Sequence, residues 1–216
     1  MMRQSFIGQL KTLHTEIILM GALCEDAITS AVKGLIDENE TLQQKVGRLE
    51  IEINHKEREI EDFCLRLLIR EQPVAGDLRQ INAAQKLIAN MERIGDQALD
   101  IAEISTFMMG SHIKSDVQIS DMARATVLML QRSVDSFVAG DVDSAKEIIA
   151  YDDVVDDLFV KIKGELVEEI SKDPASGGAC LDLLMIAKYL ERIGDHAVNI
   201  AEQVIYTVTG ERGSSE

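Results

Sequence analysis

The sequence predicts an all-α protein of six helices, built as two pseudo-symmetric antiparallel three-helix bundles, one in each half of the chain. Three observations predict it. Apolar residues recur at steps of three and four almost throughout, the spacing of one helix face. The composition suits helices, with only 2 Pro and no Trp in 216 residues, and with Leu, Ile, Ala, Glu, Asp and Met prominent. One peptide also occurs twice. Residues 92–103 read Glu-Arg-Ile-Gly-Asp-Gln-Ala-Leu-Asp-Ile-Ala-Glu, and residues 191–202 read Glu-Arg-Ile-Gly-Asp-His-Ala-Val-Asn-Ile-Ala-Glu, an offset of 99 (191 − 92). A repeat at nearly half the chain length means two copies of one structural unit.

The first helix carries Phe6, Leu10, Leu13, Ile17, Met20, Cys24, Ile28, Ala31 and Leu35 on one face, and the pattern pauses at Asp37–Asn39. A second helix is expected from about Thr41 to Arg70 on Leu42, Val46, Leu49, Ile53, Ile60, Phe63 and Leu67. Pro73 ends it, because proline lacks the amide donor and clashes with the preceding turn. Asp77 is expected at or near the N-cap of a third helix reaching about Met109, with Gly110 as its C-cap. The second half repeats the plan: a helix over Ser115–Ala139, a turn at Gly140-Asp141, a helix over Asp143–Ser171, a break at Pro174 and Gly177-Gly178, and a last helix over Ala179–Thr209. The two prolines lie 101 residues apart (174 − 73), and the Glu38–Thr41 turn matches Gly140–Asp143 at an offset of 102 (140 − 38). The repeat therefore covers whole halves, 1–112 and 113–216, each with three helices and short connections. Gly210–Glu216 reads as a frayed tail.

The charge narrows the function. With 38 Asp+Glu against 22 Lys+Arg, the net charge is −16. Such a surface repels phosphate backbones and anionic lipid, so nucleic acid and direct membrane adhesion are excluded as partners, and metal cations or a basic partner surface are favoured. No stretch approaches the ~20 apolar residues of a membrane span. Cys24, Cys64 and Cys180 have no CxxC spacing and are expected as small core residues. An odd cysteine count and an N-terminus without a secretory apolar region give a cytoplasmic expectation.

The chemistry-bearing feature of the repeat is acidic. On a helix, positions i, i+4 and i+8 advance only ~40° per step, so Glu92, Asp96 and Asp100 climb one face. The second copy offers Glu191, Asp195 and Asn199 on the same plan. Glu103 and Glu202 return to within ~20° of each ladder's first residue. Like charges at this spacing cost roughly 0.2–0.5 kcal/mol per pair, so a sequence that stacks them twice calls for a counter-charge. Carboxylate oxygens suit hard or borderline cations such as Mg²⁺, Ca²⁺, Mn²⁺ and iron. The second helix of each half supplies opposing ligands: Glu50, Asn54, Glu57 and Glu61 in the first, and Asp152 and Asp156 at the positions of Glu50 and Asn54 in the second. Asp153, Asp157, Glu52 and Glu59 read as surface charge. Arg93 and Arg192 should point ~100° away and leave the ladders unneutralised. Gly95 and Gly194, mid-helix before each ladder Asp, cost up to ~1 kcal/mol relative to Ala and imply close approach of a neighbouring helix. The plain alternative for the ladders is a solvated face. His55 follows Glu52 at the ExxH spacing of di-iron bundles, but a second such pair is missing. His196 is expected to be satisfied or exposed, and His14 and His112 have no visible partner.

These residues resemble the PhoU family. Glu92-Arg-Ile-Gly-Asp96 and Glu191-Arg-Ile-Gly-Asp195 match its paired E/D-x-x-x-D motif, and Arg70-Glu-Gln-Pro-Val-Ala-Gly-Asp77-Leu-Arg79 matches its segment before the first motif. The resemblance implies that the two bundles lie side by side. It implies multinuclear iron, zinc or manganese at the two motifs. It also implies a negative regulator of the phosphate-starvation response that limits phosphate uptake. The implied partners are the ATPase subunit of a phosphate ABC transporter, a sensor histidine kinase at the inner membrane face, and a second copy in a homodimer. The sequence departs from symmetry at Asn199, where the first copy has Asp100; a neutral amide binds a cation less strongly, so the second site is expected to be weaker. The chain has no GxxxxGK[ST] loop and no defensible Ser-His-Asp arrangement, so nucleotide hydrolysis is not expected, and the resemblance then implies a non-enzymatic adaptor. A carboxylate-bridged metal enzyme and a metal-free acidic scaffold are the alternatives.

Overall fold

A computed structural model describes residues 2–110 and 116–211. Within them the chain forms α1 (Met2–Ile36), α2 (Glu40–Glu71), α3 (Gly76–Phe107), α4 (Asp116–Ala139), α5 (Val142–Lys172) and α6 (Gly177–Thr209), with no strand among the described residues. The all-α expectation and the six helices hold. The expected boundary at 112/113, the start of α4 at Ser115 and His112 all lie outside the described residues.

The predicted turn symmetry is realised in the backbone. Glu38 and Gly140 both take left-handed conformations, φ 49° and 66°. Asn39 and Asp141, which follow them, cap α2 and α5: the Asn39 side chain accepts from the amides of Thr41 and Leu42, and Asp141 accepts from those of Asp143 and Ser144. Such a cap contributes ~1 kcal/mol.

The connections into α3 and α6 differ from expectation. Pro73 does end α2, through left-handed Gln72. Ala75, not Asp77, occupies the cap position of α3; Asp77 sits in the first turn, where it faces the positive end of the helix dipole. Gly177 and Gly178 do not break the chain but open α6, because a 3₁₀ turn over Pro174–Ser176, capped by Asp173, already reverses its direction. Met108 closes α3, and Gly110 (φ 80°) lies in the turn beyond it.

The core is continuous across the two halves, with fully buried residues from all six helices, among them Ile17, Ile53, Leu87, Ile119, Ile162 and Ile193. Helix α3 packs on α1, α2 and α6, and α6 packs on α3, α4 and α5. These two helices therefore form the centre, with α1 and α4 also in contact. Polar ties cross the centre at Arg79 Nε to the Thr207 carbonyl (3.3 Å) and at His196 Nδ1 with Asn90 Oδ1 (2.9 Å). Cys24, Cys64 and Cys180 are buried, as expected, and the Cys24 thiol donates to the Met91 carbonyl. His14 packs edge-on against Phe137.

Gly95 sets the α2–α3 approach. A β-carbon there would stand 3.1 and 3.2 Å from Cδ1 and Cγ2 of Ile53, a fully buried and β-branched residue that has nowhere to move. Overpacking typically costs 1–3 kcal/mol, more than the ~1 kcal/mol of helix propensity that alanine returns. Gly95→Ala is therefore expected to lower stability by about 1 kcal/mol in urea unfolding, against a gain had the position been open.

Candidate metal centre

The α2–α3 and α5–α6 pairs bring the predicted residues together. Glu92 on α3 feels Asp96 on its own helix and both Glu57 and Glu50 on α2. Asp152 on α5 feels Asp156 and Asp153 on its own helix and both Asp195 and Glu191 on α6. Each half thus sets Glu or Asp side chains of its third helix near carboxylates of its second.

The crowding is visible in proton affinities. Burial first, then neighbouring carboxylates, pushes Glu92 and Glu57 above the usual range, and Asp195 likewise. Asp152 is raised most, from 3.8 to about 6, by burial and then by Asp156, Asp195 and Glu191. Both effects disfavour the charged form.

Individual positions depart from the simple ladder. Asp100 is raised by burial, Glu103 and Asp96, and a hydrogen bond from Tyr189 on α6 partly offsets that rise. Asn199 is exposed, and among the described residues no hydrogen bond ties it to the second cluster. Asn54 Nδ2 donates to Glu50 Oε1 at 2.5 Å, while its own Oδ1 is buried with no donor. Asp153, Asp157, Glu52 and Glu59 are exposed, as expected. His55 is also exposed and pairs with Glu59 rather than with a ladder, and His196 is satisfied by Asn90.

The arginine expectation fails. Arg93 folds back over the first ladder, with Nε 3.4 Å from Glu92 and an Nη 3.1 Å from Asp96. An angle of ~100° between Cβ directions does not restrain a side chain with four rotatable bonds. Arg192 lies over the Tyr189 ring at 5.7 Å and forms no ion pair with its ladder among the described residues, although its charge still lowers the proton affinity of Asp195. The second ladder is instead met by Lys188, 2.5 Å from Glu191, a residue outside the repeated peptide. Its i,i+3 spacing to Glu191 was the available signal.

The donor set fits a cation by its chemistry. Hard carboxylate oxygens crowd from two helices at each site, the Asn54 carbonyl oxygen lacks a donor, and a β-carbon on Gly194 would press Asp152 Oδ1 at 3.2 Å. As the side chains stand, no three His, Cys, Asp or Glu groups among the described residues are grouped to hold an ion.

Comparison with known proteins decides the family. The PhoU domain model matches residues 17–105 and 119–204, one copy in each half. The chain belongs to the PhoU family. A phosphate-specific transport system accessory protein PhoU homolog from Pseudomonas aeruginosa is 36% identical over 96% of this chain and 86% of its own length. One from Clostridium acetobutylicum is 34% identical over 98% of both chains. The crystal structure of the Pseudomonas aeruginosa PhoU superposes with a TM-score of 0.90, covering 95% of this chain and all of that one. A PhoU structure from Streptococcus pneumoniae, 24% identical, shares the fold with a TM-score of 0.89 over 97% of this chain and 99% of that one. The PhoU relatives are named as accessory proteins, and no described helix of this chain is long and apolar enough to cross a membrane.

The elevated Asp152 gives a pH dependence whose sign is fixed. Its folded value, about 6, lies above the ordinary 3.8, so its protonation favours the fold; that contribution is full below about pH 4 and lost as pH rises through 6. His14 and His196, lowered chiefly by burial, act in the opposite sense as pH falls. Comparison with Asp152→Asn isolates the carboxylate. In chelator-treated protein, the variant should be more stable than the parent at pH 7.5 by up to ~1 kcal/mol, discounted for a half-exposed group, and the gap should close at pH 4.5, read from urea midpoints.

Proposed function

We propose that this chain is a non-enzymatic adaptor of phosphate signalling that binds metal at its two carboxylate clusters. The observation that carries the reading is the pairing of E-R-I-G-D ladders with opposing carboxylates on α2 and α5, in a chain of the PhoU family. Its relatives are named for the phosphate-specific transport system, and the same system is the proposed context here. The adaptor would act in the cytoplasm as a homodimer and reach the membrane only through its partners. Those partners are the ATPase subunit of a phosphate ABC transporter, where the adaptor would limit uptake, and a sensor histidine kinase, where it would hold the starvation response off.

A divalent cation, iron, zinc or manganese, would supply the positive charge that the clusters lack. Glu50, Glu57, Glu92 and Asp96 would hold it in the first half, and Asp152, Asp156, Glu191 and Asp195 in the second. Asp100, which meets Tyr189, and Asn199, a neutral amide, would stand at the margins. The chain's own contribution is positional. Partial burial of Glu50, Glu57, Glu92, Asp96, Asp152 and Glu191 lessens screening by water, Asp156 and Asp195 are exposed, and the close α2–α3 and α5–α6 packing holds the carboxylates in opposed sets. A metal-free acidic scaffold is the second reading, favoured by the ion pairs of Arg93 and Lys188, which already offset part of each ladder's charge.

Two double variants separate the readings. Glu92→Ala with Asp96→Ala, and Glu191→Ala with Asp195→Ala, should each remove the metal of one site, seen by elemental analysis of untagged protein, and should leave a starvation-response reporter active in high phosphate. Retention of both metal and phosphate-dependent repression would overturn the adaptor reading. Absence of stoichiometric metal from the parent itself would favour the scaffold.

A further inference from the structure

We infer that Arg93 and Lys188 are tethered counter-ions that compete with metal for the two ladders, each serving one half. The inference rests on the metal reading above and concerns what sets affinity at those sites.

The two cationic side chains occupy the carboxylates that a cation would need. Arg93 reaches both Glu92 and Asp96, at 3.4 and 3.1 Å. Lys188 reaches Glu191 at 2.5 Å, and Glu191 is only 16% exposed there. A divalent ion entering either site must displace a charge attached to the same helix. A tethered competitor acts at a fixed high local concentration, so it weakens binding without any change in the ligands.

The repeat explains why the halves use different residues. Arg93 and Arg192 are equivalent at the offset of 99, yet only Arg93 covers its own ladder. The difference lies three residues before each arginine, at Asn90 and Tyr189. The Tyr189 ring holds the Arg192 guanidinium at 5.7 Å, a cation–π contact that Asn90 cannot offer to Arg93. Lys188 has Ala89 as its counterpart, so the first half has no equivalent lysine. The lysine is steadied in turn by Phe159, whose ring lies 5.6 Å from its Nζ and which stands where the first half has Glu57 (159 − 57 = 102). The second half has thus exchanged one opposing carboxylate for a ring that supports a cation. The inequality between the sites extends beyond Asp100 and Asn199 to the identity of the internal counter-ion.

The test is manganese titration of the full chain after chelator treatment, by calorimetry at low salt, reading one site at a time. With Glu191→Ala and Asp195→Ala silencing the second site, Arg93→Gln should tighten Mn²⁺ binding about fivefold, the upper range for an exposed ion pair, and Arg93→Lys should return it toward the parent value. With Glu92→Ala and Asp96→Ala silencing the first, Lys188→Gln should do the same, while Arg93→Gln should leave that site unchanged. Unchanged or weaker Mn²⁺ binding in both glutamine variants, with the parent sites still binding, would overturn the inference and leave the metal reading standing. Absence of Mn²⁺ binding in the parent and in every variant would bring down the metal reading, and the inference with it.

Discussion

Helices α3 and α6 each pack against three others, and that constraint shapes the rest of the molecule. A helix surrounded on three sides has most of its circumference committed to apolar and small residues. The polar face that remains carries an acidic ladder in both helices, beside a second helix that brings further carboxylates. Charges that would cost little on an open surface are brought close together where water is partly excluded. Each site answers the resulting repulsion by holding protons more tightly and by drawing in the nearest cationic side chain.

The glycines belong to the same constraint but do different work. Gly95 admits the branched Ile53 side chain and so lets α2 approach the first ladder. Gly194 lies under Asp152 and Val155, so its missing side chain leaves room for a carboxylate as well as for packing. One sequence feature, repeated at the same place, thus relieves a steric limit in one half and accommodates a polar group in the other. Duplicated units diverge in this way when each copy is held by its own neighbours rather than by the repeat.

A large share of the fold was legible in the residues. Apolar spacing placed the helices to within a few positions, because a buried stripe with a period near 3.6 has few other solutions. The matched turns at Glu38 and Gly140 were legible too, since a cap residue and a left-handed position have local chemical signatures. The connections into α3 and α6 were less so: Pro174 and Gly177-Gly178 read as one long break, yet the 3₁₀ turn completes the reversal before the glycines, which are then free to enter a helix. At the site, the opposition of Glu50 and Glu57 to Glu92, and of Asp152 to Glu191 and Asp195, followed from helical geometry. The bond from Tyr189 to Asp100 did not, because it joins the two halves across the centre of the molecule.

The sequence by itself determined the helices, the duplication, the acidic ladders and their inequality at Asp100 and Asn199, all of which follow from local spacing and from comparing one copy with the other. Tertiary structure alone decided where the flexible charged side chains end up. Arg93 and Arg192 occupy equivalent positions in identical pentapeptides, which by themselves do not distinguish them. Their different fates depend on an aromatic ring at Tyr189 and its absence at Asn90. A long cationic side chain can reach several partners at similar cost, and which one it meets depends on how packing orients them: the Tyr189 ring under Arg192 has its hydroxyl set against Asp100 of α3.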